Sequence, residues 1–112
     1  MDEGKNRVTV YLVKAHGQLL VRPSWVVVKP GDNEMEVRNH AGEDVDLVLP
    51  PSFYIPNPPA SRDRTIEAGT SKVVPLHVSE EVEPGAHAYG FYGAKSREFA
   101  VGDSSPIFIV DR

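Results

Sequence analysis

Cysteine is absent from the 112 residues. That excludes a disulfide framework, thiolate zinc sites, iron–sulfur ligation, CxxC redox chemistry, cysteine nucleophiles and any copper–thiolate centre. No apolar run approaches the roughly 20 residues that a membrane-spanning helix needs. Positive charge is scarce and scattered: 12 Lys and Arg stand singly against 16 Asp and Glu, for a formal net charge of -4. The basic stripe of a duplex-binding protein is missing, so nucleic acid is not an expected partner. Apolar spacing of i, i+3, i+4, i+7 is nowhere sustained for three turns, which argues against a long helix. The opening Met-Asp-Glu-Gly-Lys-Asn is unlike a secretory signal. The chain is expected to be cytoplasmic if it is complete, and extracytoplasmic if Met1 stands where a signal was removed.

What is present is a chain written in strands. With 40% hydrophobic residues, 9 Gly and 10 Pro over 112 positions, it fits one domain, residues 1–112, able to bury a core without staples. Residues 7–14 (RVTVYLVK) place Val8, Val10 and Leu12 on one parity, and residues 33–39 (NEMEVRN) set Met35 and Val37 against Glu34, Glu36 and Arg38. This period of two marks half-buried strands. Residues 25–29, 45–49, 73–78 and 107–110 are short β-branched or Leu-rich runs bounded by turn residues. Residues 86–92 alternate His87, Tyr89 and Phe91 against Ala88, Gly90 and Tyr92, making a seventh strand; residues 19–21 extend the first or form an eighth. Turn signals fall between them at Lys29-Pro30-Gly31-Asp32, Ala41-Gly42-Glu43-Asp44, Ala68-Gly69-Thr70 and Glu83-Pro84-Gly85. Short strands at this spacing predict an all-β, Greek-key, two-sheet β-sandwich of seven to eight strands. Pro75 predicts a sheet edge or a bulge. Residues 50–64, with five prolines, form the one long connection.

Three segments carry a resemblance: VVVKPGD at 26–32, Val37-Arg38-Asn39 leading into NHAGEDVDLVL, and Glu83-Pro84-Gly85-Ala86-His87-Ala88-Tyr89. The chain resembles the cupredoxins, the blue-copper β-sandwich family, over most of its length from Arg22 onward. That resemblance implies a cupredoxin-like fold. In the family, type 1 copper is held by a His after the Asn-led turn and by Cys, His and usually Met of a C-terminal loop, a set suited to copper by its softness and geometry. Carried onto this sequence, the first His falls at Val45, or at Glu43 or Asp44 with a shorter turn. The Cys falls at Phe91, the second His near Ala94 and the axial ligand near Phe99. The resemblance therefore implies a degenerate copper site, its pole plugged by Val45, Phe91 and Phe99, and no blue-copper activity. Function resides in sites and not in folds.

Other chemistry is thin. No Gly-x-Ser-x-Gly elbow surrounds any serine, and no Walker spacing accompanies Tyr89 to Arg97. No catalytic residue and no cofactor are expected. His40 and His87 are the candidate metal ligands, with Glu43, Asp44 and Asp46 as carboxylate neighbours of His40, but no His-x-His or His-x-x-x-His pair joins them. The stronger candidates are contact surfaces. Phe53, Tyr54 and Ile55 sit in a stiff proline-rich loop, and rigid aromatic loops lose little entropy on docking; the alternative is that Phe53 and Ile55 cover one open end of the sandwich, with Tyr54 the better candidate for exposure. Tyr92, Lys95 and Arg97 can offer a ring and two cations to an acidic partner. The reading is a copper-free cupredoxin-like module for protein binding or assembly, of open oligomeric state. A copper- or zinc-handling protein with a non-thiolate His and carboxylate site, and an Ig-like adhesion module, are the alternatives.

Overall fold

The alternation read from the sequence becomes backbone pairing in the computed structural model, which describes residues 6–55, 64–101 and 106–111. In chain order the strands are β1 (Asn6–Ala15), β2 (Gln18–Arg22), β3 (Trp25–Val28), β4 (Gly31–His40), β5 (Val45–Val48), β6 (Phe53–Tyr54), β7 (Thr65–Ile66), β8 (Ser71–Val78), β9 (Gly85–Ala88), β10 (Gly90–Gly93) and β11 (Ile107–Val110). Among the described residues there is no helix long and apolar enough to cross a membrane.

The first sheet has the order β2-β1-β4-β8-β6. β1 and β4 run parallel from Asn6↔Asn33 to Val13↔His40, which aligns their inward residues Val10, Leu12, Met35 and Val37 in the core. β2 returns along β1 through the two-residue turn His16–Gly17, with φ of 53° and 77°. Positive φ at both central positions is the twist that a tight hairpin demands. β6 pairs only with His77 and Val78 of β8, so β8 is an edge at Pro75, as its missing N–H requires.

The second sheet is divided. One ladder has the order β3-β11-β9 and the other β10-β5-β7. The run expected as one strand over 86–92 is two, β9 and β10, separated at Tyr89. Its parity nevertheless persists: Tyr89 and Phe91 are buried, whereas Ala86 and Ala88 face out. Bonds beyond the ladders carry the sheet across the gap. Tyr89 N–H donates to Pro106 O (3.2 Å), Ala100 N–H to Phe91 O (2.8 Å), and Ile107 N–H to Ser24 O (2.8 Å). Residues 99–101 thus continue the course of β11 alongside β10. On their other flank Val21 N–H donates to Val101 O (2.9 Å) and Val101 N–H to Leu19 O (3.0 Å), so this short segment stitches β2 of the first sheet to β10 of the second. Eleven strand segments among the described residues, where seven or eight were expected, reflect this division, the separate β2, and the two-residue pieces β6 and β7.

Between the sheets, Phe91, Phe108, Leu12, Leu19, Met35, Ile66 and Leu76 are fully buried. Phe108 is the hub of the aromatic packing, stacked on Tyr89 (4.1 Å between centroids) and on Phe53 (5.1 Å). Each such side chain contributes roughly 1.5–3 kcal/mol by leaving water.

Candidate functional site

Asn39, the penultimate residue of β4, is fully buried, and a buried amide must find partners. Its Nδ2 donates to Glu43 O and to Ile66 O, both at 2.9 Å, while its Oδ1 accepts from Ala41 N–H (2.9 Å). These bonds hold the turn 41–44 against β7 and aim the Glu43 side chain at the loop that follows β10.

Glu43 is the unexpected centre of this end of the sandwich. Its side chain is 1% exposed. Oε1 accepts from the backbone N–H of Lys95 (2.7 Å) and of Ser96 (2.8 Å), and Oε2 faces the Lys14 ammonium at 2.8 Å. Burial alone would raise the carboxyl pKa; the Lys14 ammonium and the Ser96 and Lys95 donors outweigh it and lower the pKa from 4.5 to about 2. The carboxylate is therefore ionised throughout the neutral range. The loop itself is a turn in which Arg97 N–H donates to Gly93 O and Gly93 N–H to Glu98 O, both at 2.9 Å, with Arg97 at φ 59°. A Cβ on Gly93 would stand 2.5 Å from Ser96 Oγ and 2.8 Å from Glu43 Oε1, so only glycine leaves room for the carboxylate.

The residues that the resemblance sets at the copper positions do not fit that metal. Val45 and Phe91 are fully buried and offer no donor atom. Ala94 is exposed. Phe99, expected in the plug, is 56% exposed and lies outside it. The reason is register: Phe99 pairs with the outward-facing Tyr92, and it is Ala100, bonded to Phe91, that is buried. Phe99 instead packs edge-on against Tyr92 (5.0 Å) and covers Gly90. Among the described residues no group of three His, Asp or Glu side chains is placed to hold a metal ion. His40 is exposed on the outer face of the first sheet, stacked near Tyr11 (6.4 Å), and Glu43 points away into the loop. His87 is half-buried against Phe53 (5.6 Å), its Nε2 2.7 Å from Glu83 O.

Of the expected contact residues, Phe53 and Ile55 take the alternative course and cover the core: they are 4% and 6% exposed, so neither stands out as a contact position. The proline-rich connection does not hold them out; β6 pairs with β8 and turns Phe53 inward onto Phe108 and His87. Tyr54, of the opposite parity, is 47% exposed and rests on His77 (5.0 Å). Residues 56–63 of that connection lie outside the described residues. Tyr92 is half-buried, and Lys95 and Arg97 are exposed on the Glu43-bound loop. Tyr54 and this loop belong to different sheets, and no pairing joins them.

Sequence reasoning missed the outer face of the second sheet. Trp25, Val27, Val48, Phe99 and Val101 are exposed there, and Ile107 and Ile109 are half-buried. A signal existed: the runs WVVV and IFIV are apolar on both parities, a pattern that goes with strands covered on both faces.

No family model matches the chain, and no curated protein matches it. Among solved structures it is similar to a multicopper oxidase from Campylobacter jejuni, described as a metallo-oxidase, with a TM-score of 0.57 and 15% identity over 98% of this chain. The chain spans only 26% of that protein's chain. Identity this low speaks for fold alone: the chain is an all-β, Greek-key, cupredoxin-like β-sandwich.

Proposed function

We propose that this chain is a copper-free, non-enzymatic cupredoxin-like module that binds a protein partner or helps to assemble a larger complex. One observation carries the reading: the end of the sandwich that would hold copper by resemblance is filled by Val45, Phe91 and the Glu43 carboxylate, and the Glu43-bound loop displays Lys95 and Arg97 to solvent. A thiolate-free, donor-poor pole gives type 1 copper nothing to bind. A loop held rigid from inside loses little entropy when it docks. Tyr92 adds a ring beside the two cations, which suits a partner rich in carboxylates.

The test has two parts. Melting of the purified protein is expected to be unchanged by a chelator and by added Cu(II) or Zn(II); a chelator-sensitive melting temperature, or stoichiometric uptake lost in His40→Ala/His87→Ala, overturns the copper-free reading. Surface-immobilised acidic peptide is expected to retain the wild-type chain and to release Lys95→Ala/Arg97→Ala. Equal retention of the two removes the loop as the contact.

A further inference from the structure

β9 and β10 follow one course, but only β10 is flanked on both sides. β5 pairs along β10 from Val48↔Gly90 to Val45↔Gly93. Past Val48 the chain reaches Pro50 and Pro51, turns with Phe53 N–H on Pro50 O (3.2 Å), and enters β6 in the first sheet. The line of β5 is therefore not continued beside β9, and Gly85–Ala88 ends the ladder β3-β11-β9. Register decides which backbone groups face that open edge. Ile107 N–H donates to Ser24 O (2.8 Å) and Asp111 N–H to Val28 O (3.0 Å), so these alternate residues turn toward β3. Phe108 and Val110 are then the residues that bond β9, opposite His87 and Gly85. Tyr89 N–H, donating to Pro106 O (3.2 Å), keeps the same alternation. Ala86 and Ala88 consequently turn their N–H and C=O away from β11, and among the described residues nothing bonds those four groups. Other edges are closed locally. β2 exchanges bonds with Val101, Val27 O of β3 accepts from Asn6 Nδ2 (2.9 Å), and Thr65 O of β7 accepts from Lys72 Nζ (3.1 Å).

We infer that the β9 edge is a docking site for an extended, basic peptide segment of a partner protein, which joins the sheet as a strand antiparallel to β9 and in line with β5. Continuity sets the orientation, because β5 already runs antiparallel to β10 on that flank. The edge carries none of the devices that keep strands apart: Gly85–Ala88 holds no lysine, no proline and no bulge. It is also held in place, with His87 Nε2 2.7 Å from Glu83 O across the entering turn. Main-chain bonds to Ala86 and Ala88 supply affinity, and alternate side chains supply specificity. On the outer side the small Ala86 and Ala88 leave Ile107 and Ile109 half-buried beside them, so the peptide residues opposite the two alanines are apolar. Charge defines the rest of the occupant. The turn into β9 carries Glu80, Glu81 and Glu83 with no cation among residues 79–88, and the chain as a whole is at -4, which favours lysine or arginine at the ends of the added strand.

This edge is separate from the Lys95 and Arg97 loop and takes a partner of opposite charge, so the two readings fail independently. The probe is the end-blocked heptapeptide Lys-Thr-Val-Thr-Val-Thr-Lys, titrated into the nitrogen-15-labelled chain. The Ala86 and Ala88 amide signals are expected to move most and to exchange more slowly with deuterium, with a Kd on the order of 100 µM. The same peptide N-methylated at both valines keeps its side chains but loses the donors, and is expected to bind at least about tenfold more weakly. Ala88→Pro removes one outward N–H and no bond of the ladder, and is expected to lose the peptide as well. Glu81→Gln/Glu83→Gln is expected to weaken binding several-fold, and Lys95→Ala/Arg97→Ala to leave it unchanged. Absence of any shift at Ala86 and Ala88 up to about 1 mM peptide overturns the inference. Equal binding of the methylated and unmethylated peptides overturns it too, and that comparison needs no substitution in the protein.

Discussion

The two sheets share one interior and present opposite exteriors. On the first sheet, outward positions of β4 pair with β1, with β8 and along β4 itself as ions and polar groups. Arg7 meets Glu34 at 2.9 Å, Arg38 meets Glu36 at 3.1 Å and lies 5.5 Å from the Tyr11 ring centroid, and His77 of β8 meets Asp32 at 2.8 Å. Water completes the coordination of such a surface, and along β4 the strand period sets Asp32, Glu34, Glu36, Arg38 and His40 outward, although Tyr11, Tyr54 and Val73 are exposed on neighbouring strands. On the second sheet the same period runs apolar on both sides at β3 and β11, and alanine with alanine along β9. The contrast teaches that the same strand period can leave charge on one exterior and apolar side chains, Trp25 and Val27, on the other.

Three substitutions probe the contrast. The largest effect is expected where the sheets are alike. Phe91→Ala empties the centre of the shared core and should cost about 3–5 kcal/mol; denaturant unfolding should remain a single transition. Two separated transitions would mean that the sheets are independent units and that their exteriors must be compared as two proteins. A smaller effect is expected at the charge that joins them, because Glu43 near β5 pairs with Lys14 of β1. Glu43→Gln should cost about 2 kcal/mol at pH 7. The folded carboxyl sits at about 2 and its unperturbed value is 4.5, so the folded state binds fewer protons in that interval. The stabilisation is complete above pH 4.5 and is lost as pH falls toward 2. Wild-type melting temperatures should converge on those of Glu43→Gln over this range; parallel curves would detach the carboxylate from the acid response. The smallest effect belongs to the charged exterior. Arg7 is half exposed, and Arg7→Ala should cost about 0.5 kcal/mol, less at high salt. A loss several times larger, unaffected by salt, would make that face structural and erase the contrast.

Much of the architecture is legible in the residue pattern because period two and turn chemistry are local. Val10, Leu12, Met35 and Val37 alternate with charges and fall in the core, and Pro75 marks an edge. The split at Tyr89 is not legible, since the parity of 86–92 is unbroken while the strand changes its neighbours. Phe99 shows the same limit at single-residue scale. Its side of the sheet depends on pairing with Tyr92, and one step of register exchanges it with Ala100. Phe53 and Tyr54 were separable only by parity within a proline-rich stretch that looks too stiff for a strand, yet two paired residues sufficed to turn Phe53 inward. Glu43 was visible as a carboxylate in a turn. Its role was not, because its partners lie at Lys14 and at residues 95 and 96, more than fifty positions onward.

The way Glu43 grips the following loop has an evolutionary consequence. Its hydrogen bonds go to main-chain N–H groups, which every residue except proline supplies, and the shape is completed by Gly93 and the left-handed turn at residue 97. The side chains at positions 94 and 95 are spectators to that geometry. They are free to drift under mutation while the scaffold beneath them stays fixed. A fold built in this way keeps a rigid platform whose displayed chemistry can be rewritten one residue at a time.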